Sequence, residues 1–231
     1  MKKIGFIGAY DKTDFLISLA KILTSFNNRV IIVDSTIMQK AKYVVPAINP
    51  TRTYITNYEK IDIAVGFDNE ERLESYIGSS LNQSTDYDIA LLDIDTPEAF
   101  LGYDMENAEM NFFVTAFDMY SLRKGLDVLS AVQAPVPMTK VLFSKSIIKG
   151  DEEYLNYLAQ NYPVIWQEDT IYFIYTDSDY DAFKENQRVA RIKFRNLSSS
   201  YKMGLANVLT HMFPNYKHND FIKLMKSIDR G

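Results

Sequence analysis

Residues 4–34 run IGFIGAYDKTDFLISLAKILTSFNNRVIIVD. Ile4–Ile7 is a short apolar run closed by Gly8, the pattern of a buried strand entering a turn. From Asp14 to Phe26, the residues Phe15, Leu16, Leu19, Ala20, Leu23 and Phe26 fall at helical spacing, and Asn27-Asn28 offers a left-handed stop. Val30-Ile31-Ile32-Val33 then runs, β-branched throughout, into Asp34. An apolar strand without alternation suits a parallel sheet covered on both faces. Residues 4–34 therefore read as one strand–helix–strand unit.

The same alternation continues along the chain. Strands are expected at Ile61–Phe67, Tyr87–Asp93, Met110–Ala116, Lys140–Ser144 and Ile171–Tyr175. Helices are expected after Asn69, with Glu70 and Glu71 in the first turn, and over Met119–Val132 and Glu152–Gln160. Two terminal helices follow, at about 197–213 and 218–229; the second carries Phe221, Leu224, Met225 and Ile228 at i, i+3, i+4, i+7. Gln39–Asn57, with Pro46 and Pro50, reads as irregular. Strands alternating with helices argue for an α/β fold with a mostly parallel central sheet flanked by helices on both faces, in a single domain spanning 1–231.

Composition narrows the chemistry. The 231 residues hold no cysteine, which excludes disulfides, thiolate-ligated metal and cysteine nucleophiles. Two histidines, His211 and His218, exclude a three-histidine metal site and read as surface residues. A net charge of −5 argues against nucleic-acid binding by bulk charge. Arg188, Arg191, Lys193 and Arg195 read as either a basic patch or a solvated face. The opening Met1–Gly8 is basic then apolar, but Asp11, Lys12 and Asp14 interrupt it too soon for a signal peptide, and no stretch is long enough for a membrane span. A cytoplasmic protein is the expectation.

In an open parallel sheet, ligands sit beyond the carboxyl ends of the strands. Gly8–Thr13, Asp34 and the turn from Asp93 to Pro97 gather there, the arrangement of a nucleotide site. Over most of its length the chain resembles the ParA/MinD family of deviant Walker-A P-loop ATPases. Ile4–Thr13 is similar to their first strand and phosphate loop, and Arg29–Asp34 to their second strand and its acid. Tyr87–Asp93 with Thr96-Pro97 is similar to their Walker B strand, Met110–Leu129 to the following strand and helix, and Lys140–Ser144 to the strand that in the family ends in an adenine-contacting Asn.

The phosphate loop departs from the family pattern of Lys-Gly-Gly-x-Gly-Lys-Ser/Thr. Here Ile7-Gly8-Ala9-Tyr10-Asp11-Lys12-Thr13 keeps Gly8, Lys12 and Thr13; Ile7 replaces the signature lysine, and Ala9 and Asp11 replace glycines. Asp11 adds a negative side chain where phosphate would approach, and two like unit charges ~4 Å apart repel by ~4 kcal/mol at an effective dielectric of ~20. Ser144 cannot offer the amide pair of an Asn.

Two functional expectations follow from the resemblance. In the first, the chain is an ATPase-deficient positioning, scaffolding or regulatory factor for a cellular machine (a pilus, secretion system, flagellum, plasmid or division site), and Gly8, Lys12, Thr13 and Ser144 are a relic nucleotide site. In the second, it is an active ATP-dependent dimerisation switch: Lys12 contacts phosphate, Thr13 and Asp93 hold Mg²⁺, and Asp34 assists the attacking water. Lys12 and Thr13 also fit plain helix-start residues, and Asp34 and Asp93 fit the polar ends of buried strands. Protein partners are expected, with a homodimer open. The basic, apolar-striped tail from Lys217 fits either a helix docked on the core or a peripheral anchor at the inner membrane face.

Overall fold

The computed structural model describes residues 1–47, 51–80, 86–148 and 150–230. In chain order the elements are β1 (Lys2–Ile7), α1 (Thr13–Ser25), β2 (Val30–Ser35), α2 (Ala41–Val44), β3 (Tyr54–Tyr58), β4 (Ile61–Val65), α3 (Glu70–Ser80), β5 (Ile89–Ile94) and α4 (Pro97–Gly102). They continue with β6 (Met110–Ala116), α5 (Met119–Val128), β7 (Val136–Ser144), α6 (Asp151–Leu158), β8 (Val164–Ile174), α7 (Asp177–Val189), α8 (Ser199–Met212) and α9 (His218–Ile228). The eight strands form one sheet in the order β3-β4-β2-β5-β1-β6-β7-β8, parallel throughout except for β3 against β4.

The continuous apolar strands are explained by two cores, one on each face. Phe15, Leu16 and Leu19 of α1 pack with Leu205 of α8 and Phe221 of α9 over one face. Leu73 of α3, Phe100 of α4, Leu122 of α5 and Leu155 of α6 cover the other. The central strands are therefore buried on both sides, as parallel sheets require.

The structure corrects the sequence reading in a few places. The stretch read as irregular, Gln39–Asn57, contains α2 and β3; Pro50 lies outside the described residues. β3 enters a two-residue hairpin in which Glu59 and Lys60 both have positive φ, 51° and 71°. That turn favours Asn-Gly or Asp-Gly, so Glu-Lys gave no signal. The helix expected to reach Val132 ends at Val128 and tightens into a 3-10 turn over Leu129–Ala131. β8 begins at Val164, before the expected Ile171, because its first half lies exposed at the sheet edge and lacks an apolar run.

Besides α2, two further helices were not anticipated. α4 starts with Thr96 as N-cap, accepting from Ala99 N at 3.2 Å, and Pro97 in the first turn. α7 is polar and opens on a Thr176/Asp179 capping box. Its far end leads into the basic run, where Arg188 pairs with Glu185, and Arg191 lies 3.7 Å from Glu59. These arginines are exposed, so the run is a solvated, partly paired face.

The tail is docked. Phe221 and Met225 of α9 are buried against α1 and α8, and Phe221 meets Phe26 edge-on at 5.7 Å. Asp229 ties the far end down by accepting from Phe194 N at 2.7 Å. Among the described residues no helix is long and apolar enough to cross a membrane.

Candidate functional site at the carboxyl end of the sheet

The loop after β1 is shaped first by packing. Gly8 has φ +137° and donates its N–H to Ile94 O at 2.9 Å. A Cβ built there would lie 2.1 Å from Val114 O of β6, so glycine is demanded by the neighbouring strand. Gly125 of α5 lets that helix approach the loop from the side; its Cβ would meet Ala9 N at 3.5 Å.

Lys12 then turns inward. Its side chain is 1% exposed, and Nζ sits 2.9 Å from Asp93 Oδ1. It also donates to Gly8 O and, at 3.1 Å, to Tyr10 O. The contact with Asp93 is an ion pair, with no donor aligned on Oδ1 as a hydrogen bond among the described residues. Burial pushes the Asp93 carboxyl up to about 7; Lys12 opposes the rise and Asp34 adds to it.

Asp34 and Asp93 lie directly side by side, in register on β2 and β5. Asp34 is buried and spends its oxygens on the turn that follows: Oδ1 accepts from Thr36 N at 3.2 Å and Thr36 Oγ1 at 2.6 Å, and Oδ2 from Ala41 N at 3.0 Å. Asp95 helps by accepting from Ile37 N at 3.0 Å. The result places Lys40 over the start of α1.

There, Asp11 takes the position that an anionic ligand would fill. A helix N-terminus offers unpaired N–H groups and a partial positive charge. Asp11 Oδ1 accepts from Thr13 N at 3.1 Å, and Lys40 pairs with Oδ2. Lys40 also lies 3.5 Å from Asp14, whose carboxylate accepts from Gln187 Nε2 at 2.9 and 3.0 Å. Burial raises the Asp11 carboxyl, but Lys40 and Thr13 together hold it below its ordinary value. The partly buried Thr13–Asp11–Lys40 chain thus satisfies one of the first N–H groups of α1 from within.

Gly8, Lys12, Thr13, Asp34 and Asp93 are therefore brought together, around a cavity of about 230 Å³ that Lys12, Thr13 and Asp93 line with Thr36, Met38 and Asp95. Ser144 stands apart. It ends β7 and does not line this cavity, and its hydroxyl closes a local turn by donating to Ser146 O and accepting from Ser146 N at 3.2 Å. Its neighbour Phe143 faces the loop, stacked on Tyr10 at 4.5 Å. Sequence reasoning missed Lys40, which sits in the stretch read as irregular; no local pattern marks a lysine whose partners are 26 and 29 residues away.

The same topology recurs among solved structures. Over 93% of this chain and 99% of the other, it superposes on a putative plasmid partition protein from Borrelia burgdorferi B31 bound to AMPPNP, with a TM-score of 0.53 and 11% identity. The fold is that of the ParA and MinD ATPases. The MinC:MinD cell division protein complex of Aquifex aeolicus matches with a TM-score of 0.51 and 11% identity over 100% of this chain and 97% of the other. A ParA family ATPase from Chlorobium tepidum TLS matches with 0.51 and 11% over 99% and 96%. No protein-family model and no curated protein matches the sequence. At such identities the ParA/MinD likeness carries the architecture, and the chemistry rests on the residues themselves.

Proposed function

We propose that this chain is a ParA/MinD-type positioning or scaffolding factor for a cellular machine, acting in the cytoplasm through its protein-binding surfaces, with its nucleotide site closed by its own charges. One observation carries the reading. Groups that would hold ATP are committed elsewhere: Lys12 to Asp93 and two loop carbonyls, and Thr13 N at the start of α1 to the Asp11 carboxylate. The side chains present do not fit a triphosphate, which would meet Asp11 before it met Lys12.

Two further features support it. Ile7, at the position of the family's bridging lysine, is wholly buried in β1 and has no reach toward a partner. Large apolar side chains stand exposed beyond the sheet's carboxyl end: Ile37 and Met38 in the turn after β2, Tyr120 at the start of α5 after β6, and Ile147 and Ile148 in the turn after β7. Such patches commonly mark interaction surfaces. The structural neighbours include a partition protein and a MinD held with MinC, so binding to a protein partner is the natural use of the fold. Any homodimer is expected to form without nucleotide, which sedimentation with and without ATP checks.

The test is calorimetric titration with Mg-ATP and Mg-ADP, together with phosphate release. The wild type should show neither binding below ~1 mM nor turnover. Asp11→Gly removes both the charge and the Cβ, and should create or strengthen ATP binding by tenfold or more, an effect of about 1.4 kcal/mol. Turnover by the wild type that disappears in Asp93→Asn would establish the rival reading of an ATP-driven switch, with Thr13 and Asp93 at the magnesium.

A further inference from the structure

Tyr10, Asp11 and Lys40 also wall a second cavity, of about 350 Å³, that opens between α1, α7 and α8. That volume lies in the range of small-molecule sites. Its walls are aromatic. Tyr10 lies flat on Phe143, and Phe183 meets Tyr201 edge-on at 5.1 Å. Tyr180 stands exposed beside the mouth, with the Lys184 ammonium 5.8 Å above its ring. A cation is thus already held over one of these rings.

The charges around the cavity are unequal. Asp11, Asp14 and Asp179 all line it. Asp179 is held by neutral donors, Thr176 N at 2.7 Å and Ser198 N at 2.6 Å. Lys40 is the cation set against Asp11 and Asp14, while Lys184 pairs with Asp181 at 3.1 Å. Burial drives the Asp14 carboxyl above its ordinary value despite Gln187 and Lys40. The Tyr201 phenol is pushed well up by burial, and then by Tyr10, Asp14, Asp179 and Asp11.

Tyr201 supplies the observation that points to a ligand. Its side chain is 3% exposed and lines the cavity, yet among the described residues its hydroxyl has no hydrogen-bond partner. The oxygen is not sealed off, so a partner for it would come from the cavity. It can accept a hydrogen bond from an ammonium that the carboxylates attract and the rings surround.

We infer that this cavity binds a small organic cation, a primary amine carried on an apolar or aromatic body. An anion of the same shape meets three carboxylates, Asp11, Asp14 and Asp179, against the two lining lysines Lys40 and Lys184. A neutral aromatic gains the ring contacts but none of the charge attraction. The cavity shares Tyr10, Asp11 and Lys40 with the candidate nucleotide site but lies outside the Lys12–Asp93 pair, so Asp14 and Tyr201 variants test it apart from the scaffold reading.

The experiment uses the full chain and titrates tyramine, phenethylamine and agmatine, with phenylacetate and adenosine as the anionic and neutral comparators. At least one amine should bind below ~1 mM, and at least tenfold tighter than either comparator. Asp14→Asn should weaken that amine about tenfold, as for a hydrogen bond to a charged group. Tyr201→Phe should weaken it severalfold while leaving the melting temperature unchanged, since no hydrogen bond within the protein is lost. If Asp14→Asn does not fold, Tyr201→Phe and the rim variant Tyr180→Ala carry the test. Failure of all three amines to bind, equal binding of phenylacetate or adenosine, or wild-type affinity in every variant would overturn the inference.

Discussion

Lys12→Met should lower the unfolding free energy by up to about 1.4 kcal/mol at pH 8, because Asp93, left without its counter-charge, can stay protonated about one pH unit above its wild-type titration near 7. The loss should depend on pH with a definite sign. Asp93 has its folded pKa raised to about 7, so above pH ~4 the native state keeps a proton that the unfolded chain releases, and stability falls as pH rises toward 7. Without Lys12 the folded pKa rises further. The variant therefore follows the wild type at pH 5 and diverges from it above pH 7. Urea unfolding at pH 5 and pH 8 measures both. Adding Asp93→Asn should restore much of the loss at pH 8. A Lys12→Met protein as stable as the wild type at pH 8 would show that the lysine does not sit on Asp93.

Phe221→Ala should cost about 3–5 kcal/mol, the range for removing a buried aromatic side chain. Phe221 is wholly buried and touches Phe26 and Tyr216, so its loss opens a void between α9 and α1. The melting temperature is the readout, and it should drop by several degrees. The exposed Lys223→Ala on the same helix should change it little. A tail that served only as a lipid anchor would leave the melting temperature of Phe221→Ala unaltered, and liposome co-sedimentation would then be lost instead.

The sheet was legible because its central strands are apolar on both faces, and a run such as Ile89–Ile94 has no other comfortable place. Met110–Ala116 could be bounded to the residue for the same reason. What stayed hidden lacked a one-dimensional signature. The first half of β8 lies at the sheet edge, with Gln167, Glu168 and Asp169 exposed, so its hydrogen bonding to β7 left no apolar trace. α7 buries only Asp179 and Ala182, so the helical period was too faint to detect. At the candidate site, Gly8, Lys12, Asp34 and Asp93 were each found from their place after a strand. The Lys40–Asp11 pairing was not, since it depends on how the turn held by Asp34 folds over α1. Tyr201 falls within the terminal helix expected at about 197–213, where its sequence position marks nothing beyond the helix itself. That its hydroxyl faces a cavity is decided by the packing of α7 against α8.

The squeeze between Gly8 and the Val114 carbonyl has a consequence for how such loops are recognised. A glycine at this spot is usually taken as a sign that a phosphate group comes close. Here the crowding comes from the adjacent strand, and it would remain in a protein that met no nucleotide at all. The most durable letter of the motif is thus set by the architecture. Positions 7, 9 and 11, occupied here by Ile7, Ala9 and Asp11, carry no such demand from the neighbouring strand. A count of surviving motif residues is therefore no measure of activity, and Asp11, which accepts from Thr13 N at the start of α1, bears more directly on whether an anion is accommodated.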